Sequence, residues 1–592
     1  MLSILSTPRK FQDVLVYDME WIPGTLEIRL VGIYDGKYGY RAYASVKLFL
    51  EYELTSRNRG RLFYAHAGGL ADVQFVLEAV IQVNREYPGT YQVHASFSGS
   101  SAIIVHVSRG KNSWHFVDSY WLLRDKLKNI GISIGLLKGG IAEKDDPDED
   151  GLTDTEFDRR LALKREWFRS TPINELRDYN EQDCLILYKA IYQFQLALLE
   201  MGGQLQMTLA SCAMNLFRRK YLSNDIETCY EVNDFAKESY IASRVEVFQS
   251  SVQDANYYDI NSSFPYAMTQ PCPGEYIGCT DSIPTKDSII YITDALVEVP
   301  EATITPLPYR HESGRVFFPF GKWRSHFTNI DIELLQKEGG RILKVYETQM
   351  FHPFHDLREY ATDIYNKRKA ATDDFTSLVY KLLLNSLYGK FAESAKKTSL
   401  RIDPDEIRPS YEMLFPGAFL ETHMVPVPHV HVPISAHITA MARRTLFNFM
   451  SSCCDFHYCD TDGFSTSEVL STGKELGDLK LEKQIINGYF AAPKVYGIEG
   501  KELNKKSGEW ENKNHYKAKG FSRMTASRFL KVIEGEYIEY ERMSRIRERF
   551  RKGLFNPHEA IIKKRLKIGK IIPKRFTYPD GYTRPWHVDE IK

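Results

Sequence analysis

The chain has no net charge: 77 lysines and arginines balance 77 aspartates and glutamates, so bulk electrostatics name no partner. Its eight cysteines (184, 212, 229, 272, 279, 453, 454 and 459) include no Cys-x-x-Cys pair and no zinc spacing. That argues against a zinc module or disulfide scaffold and for reduced thiols in an intracellular protein. There is no secretory leader pattern and no apolar run of membrane-spanning length, so no membrane partner is expected. The slightly basic, apolar start, Met1 to Lys10, keeps organelle import open as an alternative to a cytoplasmic location.

What remains is a 592-residue chain, 43% hydrophobic and 13% aromatic, too long for a single core. Charge is unbalanced locally. Lys513 to Arg575 holds 19 Lys and Arg against 6 Asp and Glu, which fits a polyanionic partner or a solvated helix face such as Arg542 to Lys552.

Acidic residues recur in close pairs. In His457 to Phe464, Asp460 and Asp462 stand two apart behind strand-favouring residues. An extended chain or a turn brings such a pair together, and Mg²⁺ or Mn²⁺ with oxygen ligands relieves the repulsion. An ordinary acidic turn reads the same way in isolation. Residues 12–18 read as a buried strand ending in a second pair, Asp18 and Glu20, with Val31 to Tyr40 as the next strand. Leu62 to His66 is a short strand, and Asp72 opens a helix to Val83. Ser101–Val107 and Ser113–Asp118 form a hairpin, and Glu143 to Asp150 an acidic loop. Asn174 to Ala197 is a helix with Tyr179 and Asp183 one turn apart. Asp18, Glu20, Asp72 and Asp183 thus come from separate elements. Convergent carboxylates of this kind suit two-metal phosphodiester cleavage, with Tyr179 orienting water.

This order of motifs resembles the 3′→5′ exonuclease domain of family B DNA polymerases, in their small phage and linear-plasmid branch. The resemblance implies metal ligands at Asp18, Glu20, Asp72 and Asp183, and catalytic help from Tyr179 and from Lys138 in Leu-Leu-Lys-Gly. His66 would contact DNA. Ala67 and Ala71 stand where the family has an asparagine and an aromatic that hold a frayed primer end. Trp21, Phe63 and Tyr64 are near enough in sequence to supply a substitute platform.

The resemblance continues along the chain. Tyr240 matches a template-contacting tyrosine, although Ala242 and Ser243 replace glycines. In Asp259-Ile-Asn-Ser262-Ser-Phe264-Pro265, Asp259 would be a metal ligand at a strand end and Pro265 would stop the extended run. Ser262 would bind nucleotide, and Phe264 would exclude a 2′-hydroxyl. Residues 269–350 read as short strands and turns. Phe354 to Phe391 reads as a helix pair with Arg368 and then Lys381, Asn385, Tyr388 and Gly389. The first three of these last fall on one helix face, facing a triphosphate and nascent base pair. Val432 to Ser451 is a helix leading to Asp460 and Asp462, where Gly463 replaces the family's serine. Lys494, Tyr496, Lys517 and Lys519 would bind the primer terminus, and a basic, helical tail from Met524 would grip duplex.

The implied fold is an α/β multidomain chain: an RNase H-like exonuclease domain followed by a right-hand palm, fingers and thumb. The expected divisions are exonuclease 1–195, helical linker 196–245, palm 246–353 and 431–512, fingers 354–393, a strand-displacement hairpin at 394–430, and thumb 513–592. The implied activity is template-directed DNA synthesis with editing for a viral or mobile element, by a monomer. It would act in the host cytoplasm or, alternatively, a mitochondrion. Expected cofactors are two Mg²⁺ or Mn²⁺ per active site, at Asp259, Asp460 and Asp462 and at the four exonuclease carboxylates. Template, primer and deoxynucleoside triphosphates are the expected partners. The gaps of 122 residues from Asp259 to Lys381 and 79 from Lys381 to Asp460 leave three starts open: a terminal protein, an ordinary primer, or none. A stand-alone exonuclease with a structural second half, and a non-catalytic scaffold, are the competing classes.

Overall fold

The computed structural model describes all residues except 24, 26, 69–70, 99–100, 141–151, 287, 403–411, 416–417, 505–506, 520, 522–523, 545–560, 567–573, 579–581 and 592. The acidic loop 143–150 and most of the stretch 542–552 therefore lie outside the described residues.

The first 240 residues form strands β1 (Val14–Ile22), β2 (Glu27–Asp35), β3 (Gly39–Tyr43), β4 (Leu62–Ala65), β5 (Gln92–Ser98), β6 (Ser101–Arg109) and β7 (Asn112–Asp118). Their helices are α1 (Val46–Glu53), α2 (Asp72–Glu86), α3 (Leu127–Ser133), α4 (Asp154–Ser170), α5 (Ile173–Met201), α6 (Leu209–Lys220) and α7 (Tyr230–Ser239). Two strand expectations need correction. The strand expected over 31–40 is broken at Gly36 to Tyr38, because the Asp35 carboxylate accepts the backbone N–H of Lys37 (2.9 Å) and Tyr38 (2.5 Å) and so nucleates a turn. Asp18 and Glu20 lie inside β1, not at its end, since pairing with β2 continues to Ile22. By length and hydropathy α5 would pass for a membrane span, but half of that window is buried and the helix carries Asp183. It is a core helix.

The next stretch holds β8 (Val245–Val247), β9 (Ser251–Ile260), α8 (Ser263–Met268), β10 (Cys272–Thr280), β11 (Ile290–Val299), β12 (Tyr309–Arg310), β13 (Val316–Phe317), β14 (Gly321–Thr328), α9 (Asn329–Lys337) and β15 (Arg341–Phe354). Residues 269–350 are thus not mainly short strands. β10, β11, β14 and β15 form a four-stranded sheet with strands of 8–14 residues. The prolines that suggested breaks sit at strand starts and in loops. Pro265 does not end the extended run either. The run ends at Ile260, Ser262 turns the chain with φ +50°, and Pro265 lies inside α8. The helix pair is α10 (Asp356–Ala370) and α11 (Asp374–Ser386).

The remainder comprises β16 (Lys396–Ile402), β17 (Glu412–Phe415), β18 (Ala418–Met424), α12 (Val432–Ser451), β19 (Tyr458–Asp460), β20 (Gly463–Thr466), β21 (Leu479–Ala492), β22 (Val495–Leu503), β23 (Trp510–Asn512), β24 (His515–Ala518), α13 (Ala526–Ile533) and the hairpins β25 (Ile538–Met543)–β26 (Ile561–Leu566) and β27 (Phe576–Thr577)–β28 (Thr583–Arg584). The tail expected to be helical is, among the described residues, one short helix and two hairpins. An alternating pattern is present in Ile538-Glu-Tyr-Glu541 of β25, which is that of a strand.

Two large sheets organise the chain. One runs β17-β18-β16-β5-β6-β7-β4-β1-β2-β3, so the hairpin inserted after α11 extends the N-terminal sheet. β16 pairs with β5 from Ser399↔Ser96 to Ile402↔Val93, and Leu400 and Leu420 are buried in the N-terminal core. The second sheet, β23-β22-β21-β9-β20-β19-β8 with β24 on β22, carries Asp259 and Asp460. One apolar core crosses the boundary, joining Val16 and Phe194 to Leu383 and Ile438.

Candidate active sites

The N-terminal centre is built on regular elements. β1 presents Asp18 and Glu20 on one face, and α5 lays Asp183 across them. Ligand oxygens of these three lie within 4.8 Å of one another, the only such metal-capable acidic group among the described residues. Asn180 ties them together: its Nδ2 donates to Asp18 Oδ2 (3.1 Å) and Glu20 Oε1 (3.0 Å). Sequence reading missed Asn180, although it lies three residues before Asp183 and next to Tyr179. Gly32 makes room for it, since a Cβ there would sit 1.6 Å from Asn180 Oδ1.

Burial, then the Asp183 charge, pushes Asp18 up to about 6; burial and the Asp18 charge raise Glu20 and Asp72 well above the carboxylate range. Asp183 is raised by burial, and its Oδ1 is buried without a hydrogen-bond partner. This donor set fits divalent cations, which would neutralise the crowded acids and take up the orphan oxygen. Asp72 stands aside from the trio, buried, with Oδ1 accepting Met19 N–H at 3.1 Å.

Lys138 Nζ pairs with Asp183 Oδ2 at 2.5 Å and lies 5.1 Å from the Tyr179 ring centre. That ring packs against Trp167 and Phe168, and a Cβ at Gly140 would come within 2.8 Å of it. Both ring nitrogens of His66 are engaged, with Ser119 Oγ (3.1 Å) and the Asp125 carbonyl (2.8 Å), and burial lowers its pKa to about 4. Ala67 has φ +57°, a conformation asparagine tolerates better than alanine. Of the three substitute platforms, Phe63 and Tyr64 are fully buried in the core; Trp21 is half-exposed and packs on Phe75.

The second centre is built on turns. β19 and β20 pair Asp460 with Gly463, so Thr461 and Asp462 form a two-residue turn, with Thr461 at φ +68°. Asp259, near the end of β9, pairs with Gly463 on one side and Lys480 on the other. Burial and the Asp462 charge push Asp259 up to about 7; burial and the Asp460 charge push Asp462 up to about 6. Two half-buried carboxylates that resist joint ionisation fit a divalent cation between them. Asp460 differs from the expected ligand trio: it forms an ion pair with Lys494 and accepts from Tyr458 Oη (3.3 Å) and Thr461 Oγ1 (3.0 Å). The third acid acting on both Asp259 and Asp462 is Glu482, which the sequence reading missed inside a Lys-Leu-Glu-Lys strand. Gly463 is explained by Tyr257, whose Oη would lie 2.8 Å from a Cβ at that position.

Phe264 and Tyr388 stack face to face, 4.3 Å apart at 8°. Burial, Tyr240 and Asp462 raise the Tyr388 pKa, which places all three in one neighbourhood, and Ser435 Oγ donates to the Tyr388 carbonyl at 2.6 Å. Lys381 and Asn385 are exposed on α11, and Gly389 follows the stack. A cavity of about 750 Å³ close to Asp259 has four cations in its lining, Arg368, Lys369, Lys474 and Lys480, together with apolar walls such as Leu481, Leu503 and Trp510. Lys369 and Lys480 are paired with Glu475 and Glu482, and the cations suit a triphosphate. Beyond Asp460, the Lys494 N–H donates to Tyr458 Oη (3.0 Å), Tyr496 packs on Tyr458, Lys517 lies 5.9 Å from the Tyr496 ring, and the Lys519 N–H donates to the Lys494 carbonyl (3.0 Å). Lysines interleaved with aromatics make a surface suited to a nucleic-acid end.

A model of type B DNA polymerases, organellar and viral, matches residues 161–413. A probable DNA polymerase of Neurospora intermedia is 27% identical over 368 residues, 55% of this chain and 37% of that protein. The DNA-directed DNA polymerase of Enterobacteria phage PRD1 is 24% identical over 351 residues, 55% of this chain and 60% of that one. The chain thus spans a little over a third of the Neurospora protein's length. Among solved structures, Phi29 DNA polymerase complexed with primer-template DNA and incoming nucleotide superimposes with TM-score 0.69 at 17% identity, covering 95% of this chain and all of that one. The resemblance read from the motifs is borne out, and so is the fold: an exonuclease-type domain followed by palm, fingers and thumb.

Proposed function

We propose that a chain with this fold and these motifs is a DNA-directed DNA polymerase carrying a separate 3′→5′ exonuclease centre. The observation that supports the reading is that Asp259 pairs across the sheet with Lys480 of the cationic cavity while the Asp462 charge acts on Tyr388 of the stacked Phe264–Tyr388 rings. A triphosphate would sit against Arg368, Lys369 and Lys480, displacing the Glu475 and Glu482 carboxylates that the two lysines hold at 2.8 and 2.6 Å, and its sugar would lie over Phe264, two residues on from the cavity-lining Ser262. The face of Tyr388 turned away from Phe264 would meet the nascent base pair, and Lys381 would meet the phosphates. The Lys494–Tyr496–Lys517 surface holds the primer end on the other side of the carboxylates. Mg²⁺ or Mn²⁺ held by Asp259 and Asp462 would activate the primer 3′-hydroxyl and neutralise the transferring phosphate. Sequence would be read by base pairing while the protein grips backbone, so affinity should fall steeply with salt.

At the N-terminal centre, Asp18, Glu20, Asp183 and Asp72 would hold the editing cations, and Tyr179 and Lys138 would orient the attacking water. Template, primer and deoxynucleoside triphosphates are the proposed partners, in the host cytoplasm or organelle where the replicated element resides. Primer extension with Mg²⁺, omitting each nucleotide in turn, tests the reading. Extension should stop at the first template position that needs the missing nucleotide; template-independent addition, or degradation alone, would refute it.

A further inference from the structure

Helix α4 touches the two functional halves at its opposite ends. At its start, the Asp154 carboxylate is gripped by three groups of α13 and its cap: Thr525 Oγ1 donates to Oδ1 (2.8 Å), Ser527 Oγ donates to Oδ2 (2.6 Å), and Arg528 Nε pairs with Oδ1 (3.0 Å). Thr525 is itself the N-cap of α13, accepting the Arg528 N–H at 3.2 Å, so Asp154 fixes the cap as well as the helix. Phe157, one turn on, lies under the Arg528 guanidinium at 5.8 Å.

From there α13 reaches the primer-binding strands. Phe529 packs on Tyr516 at 5.7 Å and fills the space over Gly497, where a Cβ would lie 2.7 Å from its ring. Tyr516 and Gly497 are the immediate neighbours of Lys517 and Tyr496. At the far end of α4, about 25 Å away for 17 residues, Trp167 and Phe168 pack on Tyr179, with ring centres 5.1 and 6.0 Å apart. Arg29 anchors that end by donating to the Phe168 (2.8 Å) and Thr171 (2.9 Å) carbonyls.

We propose that α4 is a strut between the primer-binding strands and the exonuclease centre, with Asp154 its attachment point and a positioning residue for editing. The links form one series: Tyr516 and Gly497, chain neighbours of Lys517 and Tyr496, meet Phe529; Arg528, next in the chain, holds Asp154; and the helix carries Asp154 to Trp167, which meets Tyr179. A strained or displaced primer end that shifts α13 is felt at Tyr179 through a rigid helix. The proposal rests on the two-centre reading above.

Hydrogen exchange on the full-length protein tests the strut without any activity. Asp154→Ala should speed exchange severalfold both in 526–533 and in 173–181, and Arg528→Asp should do the same. The swapped pair Asp154→Arg with Arg528→Asp should restore protection in both. If exchange in 173–181 does not respond to Asp154→Ala, the strut is refuted. A second arm uses degradation of a single-stranded oligonucleotide. Sites this far apart normally combine independently, so effects of Asp154→Ala and Trp167→Leu would multiply. A strut cut at either end is already cut, so the double variant should be no slower than the slower single, departing from the product by roughly threefold or more. Multiplying effects would overturn the proposal. A parent protein that degrades nothing, with the exchange response intact, would instead refute the exonuclease reading and leave the strut standing.

Discussion

The two carboxylate centres solve the same electrostatic problem in different ways. In the N-terminal centre the acids project from a mid-strand and a long helix, and Asn180 bridges Asp18 and Glu20 directly, so the group is assembled by secondary structure alone. In the palm the acids sit on turns and strand ends. Ser262, Thr461 and Lys494, three of the five non-glycine residues with positive φ among the described residues, border that site. Backbone strain of this kind costs of order 1–3 kcal/mol per residue and persists only where the surroundings impose it. In the N-terminal centre a buried amide ties two of the acids together, whereas in the second centre Asp460 is held by Lys494 and no such bridge joins Asp259 to Asp462 among the described residues.

The largest effects are expected when one centre is silenced at a time. Asp259→Asn or Asp462→Asn should lower primer extension by roughly three orders of magnitude or more while degradation persists, as expected for residues acting only in the chemical step. Asp18→Ala with Asp183→Ala should do the reverse. Loss of matched-primer extension in that double variant would show that the centres are not independent. Next in size is sugar choice. Phe264→Val removes half of the 4.3 Å stack and should raise ribonucleotide incorporation tenfold or so, against a smaller loss with deoxynucleotides. Unchanged discrimination in single-nucleotide insertion would move the steric role to another side chain.

The editing centre can be sharpened by restoring its missing platform. With Phe63 and Tyr64 buried, Ala71→Phe should raise kcat/KM on short single strands about tenfold, the worth of ~1–3 kcal/mol from one stacked base. An unchanged or lower value would mean that Trp21 already serves. The smallest effect is a pH dependence of the metal-free protein. Asp259 is raised to about 7 from 3.8, so its stability contribution is complete below pH 4 and is lost as pH rises through 7. In chelator, Asp259→Asn should therefore gain Tm over the parent progressively between pH 4 and 7, and Mg²⁺ should erase the gain. A pH-independent difference would contradict the repulsion assigned to Asp259 and Asp462.

The sequence was legible where chemistry coincides with regular periodicity. Tyr179 and Asp183 on a helix, Asp18 and Glu20 on a strand, and the Lys381–Asn385 face all follow from spacing. It was not legible where a long-range partner decides. Nothing local tells that Asp460 is held by Lys494, 34 residues on, or that Asn180 bridges two acids more than 150 residues earlier. The turn at Asp35 and the β-rich tail were missed for a different reason. A short side chain capping two amides, and the alternation of Ile538 and Tyr540 with glutamates, were outweighed by the apolar or basic composition of their neighbours.

The added strand β16 has a consequence for how the chain is made. Its partner β5 is the outer strand of the N-terminal sheet, and the Ser96↔Ser399 pair is 303 residues apart in sequence. At about 5–20 residues per second, ribosomal synthesis leaves the β5 edge without its mate for roughly 15–60 s. An uncovered edge is a template for pairing with another chain. Nascent chains are therefore most exposed to cross-pairing in that window, and an N-terminal half expressed alone would keep the edge open permanently. Separating the two carboxylate centres by truncation would produce an aggregation-prone fragment, where point substitutions would not.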